Sequence, residues 1–187
     1  MNDVSSTSPE VWMRGPLPEF APTLMPIAHA LLQAREDVAR VATDVTAEEL
    51  WQRPGHAASA GYHLQHLAGS LDRLLTYARG ESLNEAQFAA LAQEGAPGVS
   101  APALVSAVLA QIDRALDQIR VTPVEHLEEA REVGRAKLPS TVLGLLFHAA
   151  EHSARHVGQL TTTLMVVRGL TSAGSSWTGR GPTAPSG

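Results

Sequence analysis

The chain has no cysteine, which excludes disulfides, thiolate nucleophiles and zinc-finger sites together and fits a reducing cytoplasm. Any metal ion would have to be held by nitrogen and oxygen. Positive charge is scarce as well: 14 Lys and Arg stand against 19 Asp and Glu, a formal net charge of -5. That balance offers no broad basic surface for counterion release, so nucleic acid is not an expected partner. Apolar runs nowhere approach the roughly 20 residues that span a bilayer. Met1 to Pro9 also lacks the basic start and apolar stretch of an export signal, so neither a membrane nor a secretory route is expected. Runs of alternating β-branched residues are missing too, and no strand is expected.

What is present is a set of amphipathic stretches between two unpatterned ends. At 187 residues and 44% hydrophobic content the chain has material for one core, whereas two domains would each be short of it. Residues 1–17 and 171–187 are rich in Ser, Thr, Pro and Gly without periodicity, and are expected to be a flexible lead-in and a disordered tail around a folded unit, 18–170. Leu24, Ile27, Ala28, Leu31, Val38, Val41 and Val45 recur at spacings of three and four, a first helix with Pro22 and Pro26 near its start. Thr46 and Glu49 have the spacing of a capping box for a short connector that Pro54 and Gly55 stop.

A second helix is expected from Gly61 to Arg79 on the stripe Leu64, Leu67, Leu71, Leu74, Leu75, with Gly80 at its exit. The segment Asn84 to Gly98 is looser, with a short helix around Phe88 and Leu91. Ser100 and Pro102 open a third helix whose core face is Leu104, Val108, Ile112, Ala115, Leu116 and Ile119. After a charged, weakly patterned stretch, Pro139 and Ser140 open a fourth helix that reaches about Arg168, before Gly169. The pattern is that of an all-α, four-helix bundle, a class that builds metal and ligand sites from side chains on facing helices.

Eight histidines against two tyrosines and three phenylalanines is a lopsided inventory, and their placement matters more than their number. His148, His152 and His156 are spaced by four on the fourth helix, each about 40° around and about 6 Å along from the last. They form one ridge at the edge of the apolar face, continued by Gln159 and Thr163. Two imidazoles at i and i+4 can reach a single ion. The same spacing fits a solvated or core-edge pair, and no HExxH motif is present to add a metalloprotease glutamate. On the second helix His66, Ser70, Arg73 and Tyr77 form a stripe nearly opposite the leucines. A solvated face would usually carry Glu and Lys; His, Ser, Arg and Tyr instead place donors, as a wall facing a site does. His63, one turn earlier and about 60° away, competes with His66 as a ligand, and spacing does not choose between them. His29, His56 and His126 sit in ordinary surroundings.

Two stretches, His63-Leu-Gln-His66-Leu-Ala-Gly-Ser-Leu-Asp-Arg73 and Phe147-His-Ala-Ala-Glu-His152-Ser-Ala-Arg-His156-Val-Gly-Gln159, resemble the DinB superfamily, four-helix metal-binding proteins that include bacillithiol- and mycothiol-dependent transferases. The resemblance covers about Pro18 to Gly169. It implies a four-helix bundle of DinB type with short connector helices. The family's first ligand precedes an apolar-Ala-x-Ser string and its other two form an HxxxH pair followed by an aliphatic residue and Gly-Gln. The resemblance therefore selects His66, His152 and His156 as ligands. It also implies a homodimer and a divalent ion, zinc or nickel before iron or manganese.

Three neutral imidazoles leave positions on an ion for water or substrate, the open arrangement of catalytic sites. The expected function is a metal-dependent thiol S-transferase or hydrolase acting on a small molecule; a thiol would have to arrive as a low-molecular-weight cosubstrate, since the chain has none. Arg73, Ser70, His148 and Gln159 are the candidates to surround the substrate, with Arg73 suited to a carboxylate or phosphate. Glu151 and Arg155 read as a surface pair. The alternative is a non-catalytic module that binds metal or a small ligand.

Overall fold

A computed structural model describes residues 8–176 of the backbone and side chains to residue 170. Six α-helices lie within it: α1 (Met25–Val41), α2 (Ala47–Trp51), α3 (Ala60–Ala78), α4 (Glu85–Ala92), α5 (Ala101–Val121) and α6 (Val142–Ser176). The four long ones, α1, α3, α5 and α6, make an all-α bundle. Helix α3 packs on α6 and α5, and α1 packs on the same two, so α1 and α3 lie diagonally across the bundle. The connection carrying α2 crosses that diagonal. The expected stripes meet inside: Leu31, Leu64, Leu67, Ile112, Ile119, Leu146 and Leu160 are all at most 1% exposed. Each such side chain contributes about 1.5–3 kcal/mol on burial. Among the described residues no helix is long and apolar enough to cross a membrane.

Local chemistry sets the helix ends. Thr46 Oγ1 accepts the Glu49 N–H at 3.2 Å and Glu49 Oε2 accepts the Thr46 N–H at 2.9 Å, the capping box that satisfies two otherwise orphaned donors of α2. Ser59 caps α3 by accepting the Tyr62 N–H at 3.1 Å. A second capping box, Asn84 with Gln87, opens α4, where the short helix was expected. Ser100 stands at the N-cap of α5 without a side-chain bond there, and Pro102 occupies its first turn.

Four expectations need correction. The stretch after α5 is not strand-free: β1 (Ala130–Val133) and β2 (Leu138–Thr141) form an antiparallel hairpin. It is short and none of its strand residues is fully buried, so it needs no apolar alternation, and its turn is made by Gly134 (φ +67°) and Lys137 (φ +50°). Pro139 and Ser140 consequently lie in β2, and the fourth helix begins at Val142, where Thr141 Oγ1 accepts the Gly144 N–H at 3.0 Å. That helix also runs past Gly169 to Ser176: a glycine stops a helix only if it turns left-handed, and Gly169 does not. The lead-in, finally, is partly docked. Val11–Arg14 forms a 3-10 turn whose Val11 is buried, and Arg14 makes a two-pronged ion pair with Glu36 at 2.6 and 2.7 Å. The remaining end residues, 1–7 and 177–187, lie outside the described residues.

Candidate metal centre

Helices α3 and α6 face each other along their polar stripes, and the meeting point is a knot of imidazoles. His66, on α3, and His152 and His156, on α6, bring one ligand nitrogen each to within 4.8 Å of one another. His66 and His152 touch through their Nε2 atoms at 3.0 Å. The His156 ring centroid lies 4.5 Å from each of the other two. An ion bonded to imidazole at ~2.0–2.1 Å holds tetrahedral ligand nitrogens roughly 3.3 Å apart, so the cluster fits a divalent cation with only small ring movements.

The other ring nitrogens indicate which face each histidine offers. His66 Nδ1 is 2.6 Å from Glu94 Oε2, which leaves Nε2 toward the cluster. His156 Nδ1 is 3.1 Å from His63 Nδ1, leaving Nε2 again. His152 Nδ1 is buried with no hydrogen-bond partner. His63 is therefore present but one step back, bonded to a proposed ligand. His63 and His66, equivalent by spacing, differ in what they reach on α6: His66 meets His152 and His63 meets His156.

Burial and neighbouring charge favour the neutral forms of His152, His156 and His63. Burial, followed by the proximity of His66, His148 and Arg155, pushes His152 down to about 4. His156 falls to about 4 for the same first reason, then because of His66, His152, His63 and Arg155. His63 is lowered by burial and then by His66. Neutral imidazoles with free lone pairs at pH 7 are the form a metal requires.

The expected substrate-side residues divide. Arg73 is only 11% exposed and its Nη1 donates to Glu94 Oε1 at 2.8 Å; the carboxylate it holds is the chain's own. Ser70 is buried, with its hydroxyl donating to the Leu67 carbonyl at 3.3 Å. His148 is exposed, its ring centroid 5.3 Å from that of His152 and its Nδ1 3.4 Å from Glu151. Gln159 lines a recess of about 550 Å³ with His63, Arg155 and Thr163. Tyr77 packs against the core instead of joining the site. Tyr62 stacks on His66 with centroids 5.4 Å apart and planes 9° from parallel. Glu151 and Arg155 form the surface pair expected of them. His29, His56 and His126 lie away from the cluster, with His29 bonded to the Gly15 carbonyl at 3.1 Å.

Sequence reasoning missed Glu94. It follows α4 in a weakly patterned segment, 28 positions from His66, and no helical spacing links the two. A groove of about 990 Å³ between α1 and α6 is lined by Trp12, Met25, His29, Ala154 and Val157 among others, and by none of the three histidines. It is an apolar furrow, while the donors that can do chemistry converge elsewhere.

The family model of the DinB superfamily matches residues 30–160, well over half of the chain. The chain belongs to the DinB superfamily. No curated protein matches its sequence. Membership together with the histidine cluster fits a metal-binding protein of this superfamily, and the matched span contains all three histidines as well as Glu94.

Proposed function

We propose that this DinB-superfamily protein is a metal-dependent enzyme, a thiol S-transferase or hydrolase that acts on a small molecule at the ion held by His66, His152 and His156. The observation that carries the reading is the convergence of three imidazoles from two helices, with partners on the far nitrogens of two of them. A bound divalent ion supplies Lewis acidity, lowering the pKa of water or of a thiol and polarising a carbonyl. The three histidines orient that ion and leave part of its surface to substrate. His148 stands at the exposed end of the ridge, where it can exchange protons with a substrate. Gln159 offers an amide to orient one, while Ser70 and Arg73 shape the wall behind the ligands. Zinc and nickel suit an all-imidazole set, with iron and manganese next; imidazole binds several such ions, so availability decides. A cytoplasmic homodimer completes the proposal, with sedimentation as its check.

A second reading, a non-catalytic module for metal or a small ligand, is favoured by one observation: an apolar groove of about 990 Å³ lies away from the histidines. Turnover separates the two. Electrophiles should be converted with one or more low-molecular-weight thiols when the protein is metal-loaded and not when it is stripped. Conversion without thiol marks a hydrolase. No turnover by protein that carries stoichiometric metal supports the module.

A further inference from the structure

The ligand His66 has support that neither its helix nor the histidine motif supplies. Its Nδ1 meets Glu94 Oε2 at 2.6 Å, and the other oxygen of Glu94 accepts from Arg73 Nη1 at 2.8 Å. The carboxylate is 8% exposed and His66 18%. Paired with the Arg73 guanidinium, the Glu94 carboxylate accepts at both oxygens, so the hydrogen between it and His66 belongs to Nδ1.

The space for this arrangement is made by Gly69. A Cβ there would stand 2.7 Å from Arg73 Nη1 and 2.7 Å from Glu94 Oε1, nearer than any real Cβ contact. Both atoms are ends of flexible side chains, so an added methyl would push the pair aside and leave the helix in place. The backbone around Glu94 is tied to α3 separately: the Gly95 N–H donates to Gln65 Oε1 at 2.7 Å and Gln65 Nε2 donates to the Ala96 carbonyl at 3.2 Å.

We propose that Glu94, clamped by Arg73 in the notch left by Gly69, is a positioning residue of the metal centre that holds the His66 proton on Nδ1 and so commits Nε2 to the ion. The inference rests on the metal-site reading above. Outer carboxylates of this kind orient a ligand imidazole and raise its basicity, and their loss typically weakens metal binding 10–100-fold. Arg73 on this view has a structural anion in place of a substrate's.

The test uses the full chain and Co²⁺ or Zn²⁺, with affinity measured by competition against a chromophoric chelator. Glu94→Gln and, independently, Gly69→Ala should each weaken binding by about 10–100-fold and shift the visible absorption of the Co²⁺ form. Gln65→Ala, which frees the loop but leaves the carboxylate, should do neither. Long-range ¹H–¹⁵N spectra of metal-free protein should show the Nδ1–H tautomer of His66 in the wild type and lose that preference in Glu94→Gln. Wild-type affinity and absorption in both Glu94→Gln and Gly69→Ala would overturn the proposal. So would an equal loss in Gln65→Ala, since tethering alone would then explain it. Wild-type protein that binds no ion sinks the metal-site reading instead, and the metal-free spectra still judge the clamp.

Discussion

Replacing His152 by alanine should abolish most of the metal affinity while leaving the bundle standing. His152 contributes Nε2 at 3.0 Å from that of His66, and its ring lies 4.5 Å from His156. Structural zinc sites with four protein ligands bind with apparent energies of about 10–16 kcal/mol, or roughly 3 kcal/mol per ligand. Loss of one imidazole should therefore raise Kd about 100-fold or more. The fold pays little, because two effects oppose each other. The lost ring leaves a gap, but the unpartnered buried Nδ1 disappears with it, and such a group costs about 1–3 kcal/mol. The melting temperature of metal-free His152→Ala should accordingly stay within about 5 °C of the wild type. Competition titration with Zn²⁺ or Ni²⁺ and elemental analysis of untagged protein provide the assay. His126→Ala, an exposed histidine near Glu129, serves as the control with unchanged affinity. One equivalent of metal bound by His152→Ala with wild-type Kd would refute the assignment.

Acidification should destabilise the metal-free protein well above the carboxylate range. His152 and His156 take up protons only at about 4 in the fold, against an ordinary value of 6.5. Between those values the unfolded chain binds more protons, so stability is lost as pH falls from 6.5 toward 4. Urea titrations at pH 7.5, 6 and 5 should show a steady decline, and a flat or rising series would contradict the cause assigned to the shift. Gly61→Ala should cost about 1–3 kcal/mol, because a Cβ at Gly61 would lie 2.5 Å from the Trp51 ring; thermal melting and tryptophan emission would both register the displaced α2. Gly158→Ala should gain about 0.5–1 kcal/mol, since nothing lies within 4 Å of the added methyl in the middle of α6. Denaturant unfolding checks that gain.

Much of the bundle is readable from the residues because burial has a period. The stripes at spacings of three and four place α1, α3, α5 and α6, and the Thr46–Glu49 box announces α2, since a cap depends on neighbours three residues away. His152 and His156 share a ridge for the same local reason. The hairpin at 130–141 escapes such reading: its strands have four residues each, and the half-buried face of β1 is Arg131 and Val133, a single apolar residue that sets up no apolar alternation. The passage of α6 through Gly169 escapes it as well, because a glycine permits a helix end without requiring one.

The choice among histidines belongs to a different level. Helical spacing leaves His63 and His66 equivalent, and the family resemblance selects between them by motif alone. Packing of α3 against α6 places His66 Nε2 on His152 and turns His63 onto the back of His156. Arg73 likewise reads as a free cation along the chain, and becomes the anchor of Glu94 only when the loop after α4 folds across α3. Local periodicity orients a side chain around its own helix. Which atom it meets depends on how two helices and a loop are rotated against one another, and that rotation is set by the whole core.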